Sequence, residues 1–319
     1  MIHPRIVYEG AGLHCPPQKT DSPQQMRTFP ALHCGRHRLD LSAPRIMAII
    51  NATPDSFSGD GHSHNLDSAL RAADAALEAG AHVLDVGGES TRPGAQPVSE
   101  AEEIDRVVPL IERLADAPVP VSIDTFKPAV MRAALAAGAT LVNDICACAQ
   151  PGAIEAVAAT DAAVCLMHMQ GEPRTMQHNP QYENDDVTAA VRAFLQQRAE
   201  ALRAAGVAPE RIVLDPGFGF GKTVAHNFTL LARLGELCAL GYPVLAGLSR
   251  KSMFTELTRG APPQERVLAS TVATVLAAAR GARIVRVHDV AAAREALAVW
   301  QMTESAAAPD CDAPAHKAK

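Results

Sequence analysis

From about Leu39 to Thr303 the chain alternates between short apolar runs and longer stretches with an apolar residue every three to four positions. The runs are Arg45–Ile50, His82–Val86, Val119–Ile123, Thr140–Val142, Ala162–Met167, Arg211–Leu214, Pro243–Ala246 and Arg283–Val287. They are too apolar for strands with one wet face and predict a parallel sheet covered by helices. Among the longer stretches, Leu66–Ala79 sets Leu66, Ala69, Leu70, Ala73 and Leu77 on one face and stops at Gly80. Ser99 and Glu102 read as a capping box ahead of Ile104, Val107, Val108 and Ile111. Pro128 suits the first turn of a helix ending at Gly138. Further helices are expected near Gly152–Ala159, Asp186–Ala205, Asn227–Leu240, Gln264–Arg280 and Val290–Trp300. About eight strand–helix units in roughly 260 residues predict an α/β fold, a single-domain (β/α)8 TIM barrel. A doubly wound open sheet would use the same units, because closure leaves no mark on the sequence.

The ends read differently. Pro4, Pro16, Pro17, Pro23 and Pro30 punctuate a stretch without period, so residues 1–38 are expected to be an irregular extension. Residues 39–303 are then the barrel, and 304–319, with Pro309 and Pro314, a flexible tail. Without a core layer of its own, the extension up to about residue 36 is expected to be dispensable for catalysis. It repeats a His-Cys pair, His14-Cys15 and His33-Cys34; zinc binding would require both pairs to converge.

Composition narrows the function classes. Apolar residues are 48% of the chain, ample for a core, while aromatics are 4%, few for an all-β protein. A net charge of −6 without a long basic run offers no nucleic-acid footprint. No segment nears the ~18 apolar residues of a membrane span. Seven cysteines without a framework spacing, behind an N-terminus without an apolar leader, suggest free thiols in the cytoplasm.

Helix-to-strand links such as Gly80-Ala81 are short, whereas Asn51–Asn65, Gly87–Val98, His168–Asp185 and Asp215–His226 are long. In a barrel these long links surround the C-terminal strand ends, where barrel active sites lie. The strand ends carry Asn51, Asp85, Asp124, Asn143-Asp144, His168, Asp215, Ser249-Arg250-Lys251, Arg286 and His288. Asp124, Asn143 and Asp215 suit the donor-rich edge of a flat heterocycle. Arg92, Lys251, Arg286 and His288 suit an anion such as phosphate, and Asn51 and Asp55 offer oxygens to Mg²⁺ held mainly by diphosphate. Any one such Asp could equally cap a helix or loop, the reading given to Asp144 and Asp289, and Asp85 could be a buried structural carboxylate. Gly217–Thr223 imitates a P-loop but has Pro216 where the first glycine is needed. His62 and His64 read as loop residues, and Cys146 and Cys148 as incidental.

Taken in order, these segments resemble the dihydropteroate synthase family of bacterial folate synthesis. The matching stretches are Asn51–Ser58, Asp85–Gly94, Ser122–Thr125, Asn143–Ile145, Met167–Gly171, Asp215–Lys222, Ser249–Ser252 and Arg286–Asp289. The resemblance implies a homodimeric TIM barrel that joins p-aminobenzoate to 7,8-dihydropterin-6-ylmethyl diphosphate, with Mg²⁺, releasing diphosphate. It implies that Asp124, Asn143, Asp215 and Lys251 hold the pterin. Asn51, through Mg²⁺, and Arg92, Arg286 and His288 would handle diphosphate. Thr91, Pro93, Phe220, Lys251 and Ser249 would form the p-aminobenzoate pocket, with Phe57 on a covering loop; Arg92, Lys251, Arg286 and His288 would carry catalysis. Three features depart from the family pattern: Gly59-Asp60-Gly61 in place of Asp-Gly-Gly, the Cys146-Ala147-Cys148 continuation, and the extension. A corrinoid-linked pterin methyltransferase and a non-catalytic pterin-binding paralogue are the alternatives.

Overall fold

The computed structural model describes residues 30–52, 61–90, 97–172 and 175–307, with the backbone alone for 61–65. Two strands come first, β1 (Ala31–Cys34) and β2 (His37–Asp40). There follow β3 (Arg45–Asn51), α1 (Gly61–Glu78), β4 (Val83–Gly87), α2 (Glu100–Leu114), β5 (Val121–Asp124), α3 (Pro128–Ala136) and β6 (Leu141–Asp144). Next are α4 (Ala153–Ala158), β7 (Ala163–Met167), α5 (Val187–Ala204), β8 (Ile212–Asp215), α6 (Val224–Ala232) and α7 (Gly235–Cys238). The chain closes with β9 (Leu245–Ala246), α8 (Val267–Ala279), β10 (Ile284–Val287) and α9 (Val290–Ala307).

Strands β3 to β10 pair in the spatial order β8-β7-β6-β5-β4-β3-β10-β9, all in parallel. A parallel bridge between Leu214 and Val244 joins β8 to the residues entering β9, with Leu214 N donating to Pro243 O at 3.0 Å. That bridge closes the barrel and removes the open-sheet alternative. The expected strands all form, with ends shifted by a residue or two.

Side chains alternate along each strand, and the alternation sorts the interior. Met47, Val83, Leu141, Ala163, Val213, Leu245 and Ile284 share an apolar layer inside the barrel. Their neighbours Ile46, Ala48, Leu84, Val142, Val164, Ile212 and Val285 pack outward with the helices. Two residues further along the inner face stand Asp85, Asn143, Cys165, Asp215 and Arg286. The interior thus changes from apolar to polar within one strand step, and the polar end is the mouth of the long links.

The lower end departs from expectation. Ala31–Cys34 and His37–Asp40, read as the end of an irregular extension, form an antiparallel hairpin turned at Gly35. Leu32 and Cys34 are fully buried, and with Leu39 and Leu41 they complete the apolar layer that includes Met47 and Val83. Gly35 N donates to Asp161 O at 2.9 Å, fixing the turn to the barrel. The hairpin plugs the barrel floor, so removal of residues 1–36 would uncover that layer rather than trim a tail. Cys34 faces the core, and burial pushes its thiol up to about 12, while His33 lies on the opposite face with Nε2 2.7 Å from Arg38 Nη1. Neighbouring residues on opposite faces cannot share one zinc ion, which removes this pair from a zinc site; His14-Cys15 lies outside the described residues.

Smaller corrections are local. Ser99 caps α2 by accepting from Glu102 N at 3.2 Å, but the Glu102 carboxylate pairs with Arg106 instead of closing the box. The helix expected over Asn227–Leu240 divides into α6 and α7 around Arg233 and Leu234. Helix α9 continues to Ala307, past the expected start of the tail.

Candidate active site

A cavity of about 290 Å³ opens at the polar end of the barrel. Its lining brings together Asn51, Asp124, Asn143, Asp215, Phe220, Ser249, Lys251, Arg286 and His288, contributed by six strands or the links that follow them. Phe57, Thr91, Arg92 and Pro93, expected at the same site, lie outside the described residues, as does Asp55.

The floor of the cavity is one charge network. Arg286 Nε donates to Asp85 Oδ2 and Arg286 Nη2 to Asp124 Oδ2, both at 2.6 Å. Asn143 Nδ2 donates to the same Asp85 oxygen at 3.1 Å. Burial alone would lower the Arg286 guanidinium, but the two carboxylates outweigh it and hold it above its usual value. Burial raises the Asp124 carboxyl, and Arg286 opposes the rise. Asp124 Oδ1 is buried and has no hydrogen-bond partner among the described residues. A buried acceptor without a partner costs free energy, and a ligand N–H supplied there would relieve it. The sequence suggests an anion alone for Arg286; the structure ties it to Asp85 and Asp124 as well.

Asp215 ends β8 and is buried. Its Oδ1 accepts from Gly217 N at 2.7 Å. Burial raises its carboxyl, opposed by that bond and by Lys251, Arg286 and Lys222. Lys251 Nζ stands 4.2 Å from the centre of the Phe220 ring, a cation–π contact. Ser249 Oγ lies 3.0 Å from His288 Nδ1 and accepts from His288 N at 3.2 Å. One residue on, Arg250 pairs with Asp289 through Nη2–Oδ1 at 2.6 Å and Nε–Oδ2 at 3.0 Å. Consecutive residues of the link after β9 are thus latched to consecutive residues after β10. Asp289, expected as a cap, is the second half of that latch. Arg250 sits at φ 58, a left-handed conformation held by the ion pair and by its N–H donating to Ser270 Oγ at 2.8 Å.

Several neighbours escaped sequence reading. Lys127 Nζ donates to Glu89 Oε2 and Glu103 Oε2 at 2.7 Å and to Val98 O at 2.6 Å, holding Glu89 and Val98 together. Met176 and Gln177, from the long link after β7, close one side of the cavity. Asp144 behaves as the expected loop cap, accepting from Cys146 N and Cys148 N at 2.7 Å each. Burial pushes the Cys146 thiol up to about 12, so the thiolate is disfavoured.

Comparison with known proteins agrees with this geometry. The family model of pterin binding enzymes matches residues 47–288. A dihydropteroate synthase from Haemophilus influenzae is 49% identical over 276 residues, 86% of this chain and 99% of the relative. The chain belongs to the dihydropteroate synthase family. Among solved structures of that family, the Xanthomonas albilineans dihydropteroate synthase with 4-aminobenzoic acid is 52% identical, with a TM-score of 0.81 over 86% of this chain and 98% of that one. The Burkholderia cenocepacia dihydropteroate synthase complexed with 7,8-dihydropteroate is 53% identical, with a TM-score of 0.79 over 87% of this chain and 97% of that one. Each of these dihydropteroate synthases is spanned almost completely by the matched segment, so family membership applies to the whole barrel. None carries a methyltransferase name.

Proposed function

We infer that this chain condenses 7,8-dihydropterin-6-ylmethyl diphosphate with p-aminobenzoate to give 7,8-dihydropteroate and diphosphate. The observation that carries the reading is the cavity itself: a belt of Asp124, Asn143 and Asp215, the last two buried, continues into a side formed by the cations Lys251 and Arg286 with His288. Relatives of half identity holding 4-aminobenzoic acid and 7,8-dihydropteroate support it. The methylene C–O bond to diphosphate breaks, the aniline nitrogen forms the new C–N bond, and that nitrogen loses a proton.

The residues take distinct parts. Asp215 and Asp124 accept from the amino–imino edge of the pterin, with Asn143 beside them. Arg286 and His288, with Arg92, meet the charge that develops on the leaving diphosphate. Phe220, Lys251 and Ser249, with Thr91, Pro93 and Phe57, form the p-aminobenzoate side. The dihydropterin stabilises positive charge at the methylene, so the attack requires no strong general base.

Among the described residues no three His, Cys, Asp or Glu side chains gather as a metal site. Asn51 at the cavity offers a neutral amide oxygen, a hard donor that would hold Mg²⁺ there. Bound there, Mg²⁺ supplies neutralisation of the departing diphosphate.

A homodimer follows from the same reading. Leu268, Val272 and Leu276 stand exposed at four-residue spacing on α8, beside exposed Val299 and Met302 of α9. That apolar face is the part of the surface a second copy would cover. No helix among the described residues is long and apolar enough to cross a membrane. The described cysteines are all free, as a reducing cytoplasm would keep them.

The test is diphosphate release by the purified chain. Release should require the pterin diphosphate, p-aminobenzoate and Mg²⁺ together, and stop on chelation. Release unaffected by p-aminobenzoate would overturn the reading.

A further inference from the structure

Lys222 ends the glycine-rich link after β8 and is one of the few buried basic side chains among the described residues, 3% exposed, and burial lowers its pKa to about 7. Its Nζ reaches no carboxylate among the described residues. It donates to Gly217 O at 2.9 Å, Phe220 O at 3.0 Å and His168 O at 3.3 Å, and lies 3.0 Å from His168 Nδ1. A buried ammonium is ordinarily paired with a carboxylate. Here it is solvated by three carbonyls and an imidazole, as a bound cation would be. The imidazole serves as an acceptor because burial and the Lys222 charge drop its pKa to about 3.

The link it ties down is conformationally costly. Gly217, Gly219 and Gly221 have φ of 69, 79 and 63, and Phe220 N donates back to Gly217 O at 3.1 Å. The two halves of the turn are secured differently. Near Asp215 the turn has a restraint that does not pass through Lys222, Gly217 N donating to Asp215 Oδ1 at 2.7 Å, and only glycine fits there, since a Cβ would lie 1.9 Å from His168 O. The far half carries the Phe220 ring, which faces Lys251, and a Cβ on Gly219 would come within 3.2 Å of Lys251 Cδ. There the Phe220 carbonyl is held by Lys222.

We propose that Lys222 is a positioning residue for the second substrate: by gathering Gly217 O, Phe220 O and His168 on one ammonium, it sets the Phe220–Lys251 wall that receives p-aminobenzoate. The proposal rests on the assignment of that wall to p-aminobenzoate. Lys222 does not line the cavity itself; it reaches the second-substrate side through Phe220, and its effect on Asp215 is the smallest of the three cations that act there. Its loss therefore releases the Phe220 carbonyl, although Asn227 and Tyr182 still hold Gly219 and Gly221, while Gly217 N stays bound to Asp215.

The experiment is steady-state kinetics of the full-length enzyme, varying each substrate in turn. Lys222→Met keeps the stem and removes the donors. It should raise KM for p-aminobenzoate about tenfold or more while KM for the pterin diphosphate stays within about threefold. Should Lys222→Met fail to fold, a His168 pair reads the same link. His168→Asn, which keeps an acceptor for Nζ, should stay near wild type, whereas His168→Leu should show the p-aminobenzoate effect. Equal rises in both KM values, no change in either, or identical behaviour of the two His168 variants would overturn the proposal. Phe220→Ala separates the layers. If it raises KM for p-aminobenzoate and Lys222→Met does not, the positioning role alone is wrong. If neither moves it, the wall assignment is wrong and the proposal falls with it.

Discussion

Replacement of Asp215 tests the chemistry of the pterin edge. The side chain is buried, and its Oδ1 is committed to Gly217 N at 2.7 Å. Three cations, Lys251, Arg286 and Lys222, favour its ionised form. A charge-assisted pair of hydrogen bonds in such a site is worth ~2–4 kcal/mol, because no water replaces the lost acceptor. At 1.4 kcal/mol per decade, Asp215→Ala should weaken pterin binding by about 30- to 700-fold. Asp215→Asn is the sharper variant. Its oxygen still accepts from Gly217 N, so the turn keeps its shape, while its amide turns donors toward the donors of the ring. It should bind nearly as poorly as the alanine variant although it folds better. Titration calorimetry with the pterin diphosphate, well below each melting temperature, separates affinity from stability. An asparagine variant with wild-type affinity would refute the reasoning, because it would show that no charged acceptor is needed at this position.

Other consequences reach the floor, the pH response and the surface. Leu32→Ala should cost ~2–4 kcal/mol of stability by opening a cavity in the floor layer, and deletion of residues 1–36 should cost more, whereas deletion of 1–29 should be tolerated; equal melting temperatures for the two deletions would contradict the plug. His168 is held neutral, its pKa lowered to about 3 by burial and by Lys222, so its stabilisation is complete above the unfolded value of 6.5 and is lost as pH falls toward 3. At pH 5 that loss is ~2 kcal/mol, from 1.36 kcal/mol per unit over about 1.5 units, and chemical denaturation should show it shrinking in His168→Asn; an unchanged slope would exclude His168 as the source. Leu268→Glu with Val299→Glu should convert a dimer to monomers in sedimentation velocity, and an unchanged species would remove the α8–α9 face from the interface.

Much of this architecture was legible because the two periods of the chain are clean. Buried parallel strands read as apolar runs, and the polar residue ending each run fell at the mouth, which is why Asp124, Asn143 and Asp215 were found together. The hairpin was missed because its strands are four residues each and follow five prolines, although Leu32, Cys34 and Leu39 carry the two-residue period. The Arg286–Asp85 pair joins residues 201 apart in sequence. Its trace was the inner-face register: Val83 to Asp85 and Ile284 to Arg286 are the same two-residue step on the two strands that flank β3. The Arg250–Asp289 latch had no such trace, since a left-handed arginine in a link obeys no periodicity. Lys222 stood within a recognisable motif, but only the fold shows that its partners are carbonyls and a neutral imidazole.

The claim at the centre of the account is that one cavity holds both substrates, pterin on the carboxylate belt and p-aminobenzoate on the Phe220–Lys251 wall. A crystal structure of this chain with 7,8-dihydropteroate bound tests it most directly. The account predicts the pterin amino–imino edge within hydrogen-bond distance of Asp215 and Asp124, and the benzoate ring beside Phe220 and Lys251. A product molecule bound in the reverse orientation, or outside the ring formed by Asp124, Asn143, Asp215 and Arg286, would contradict it.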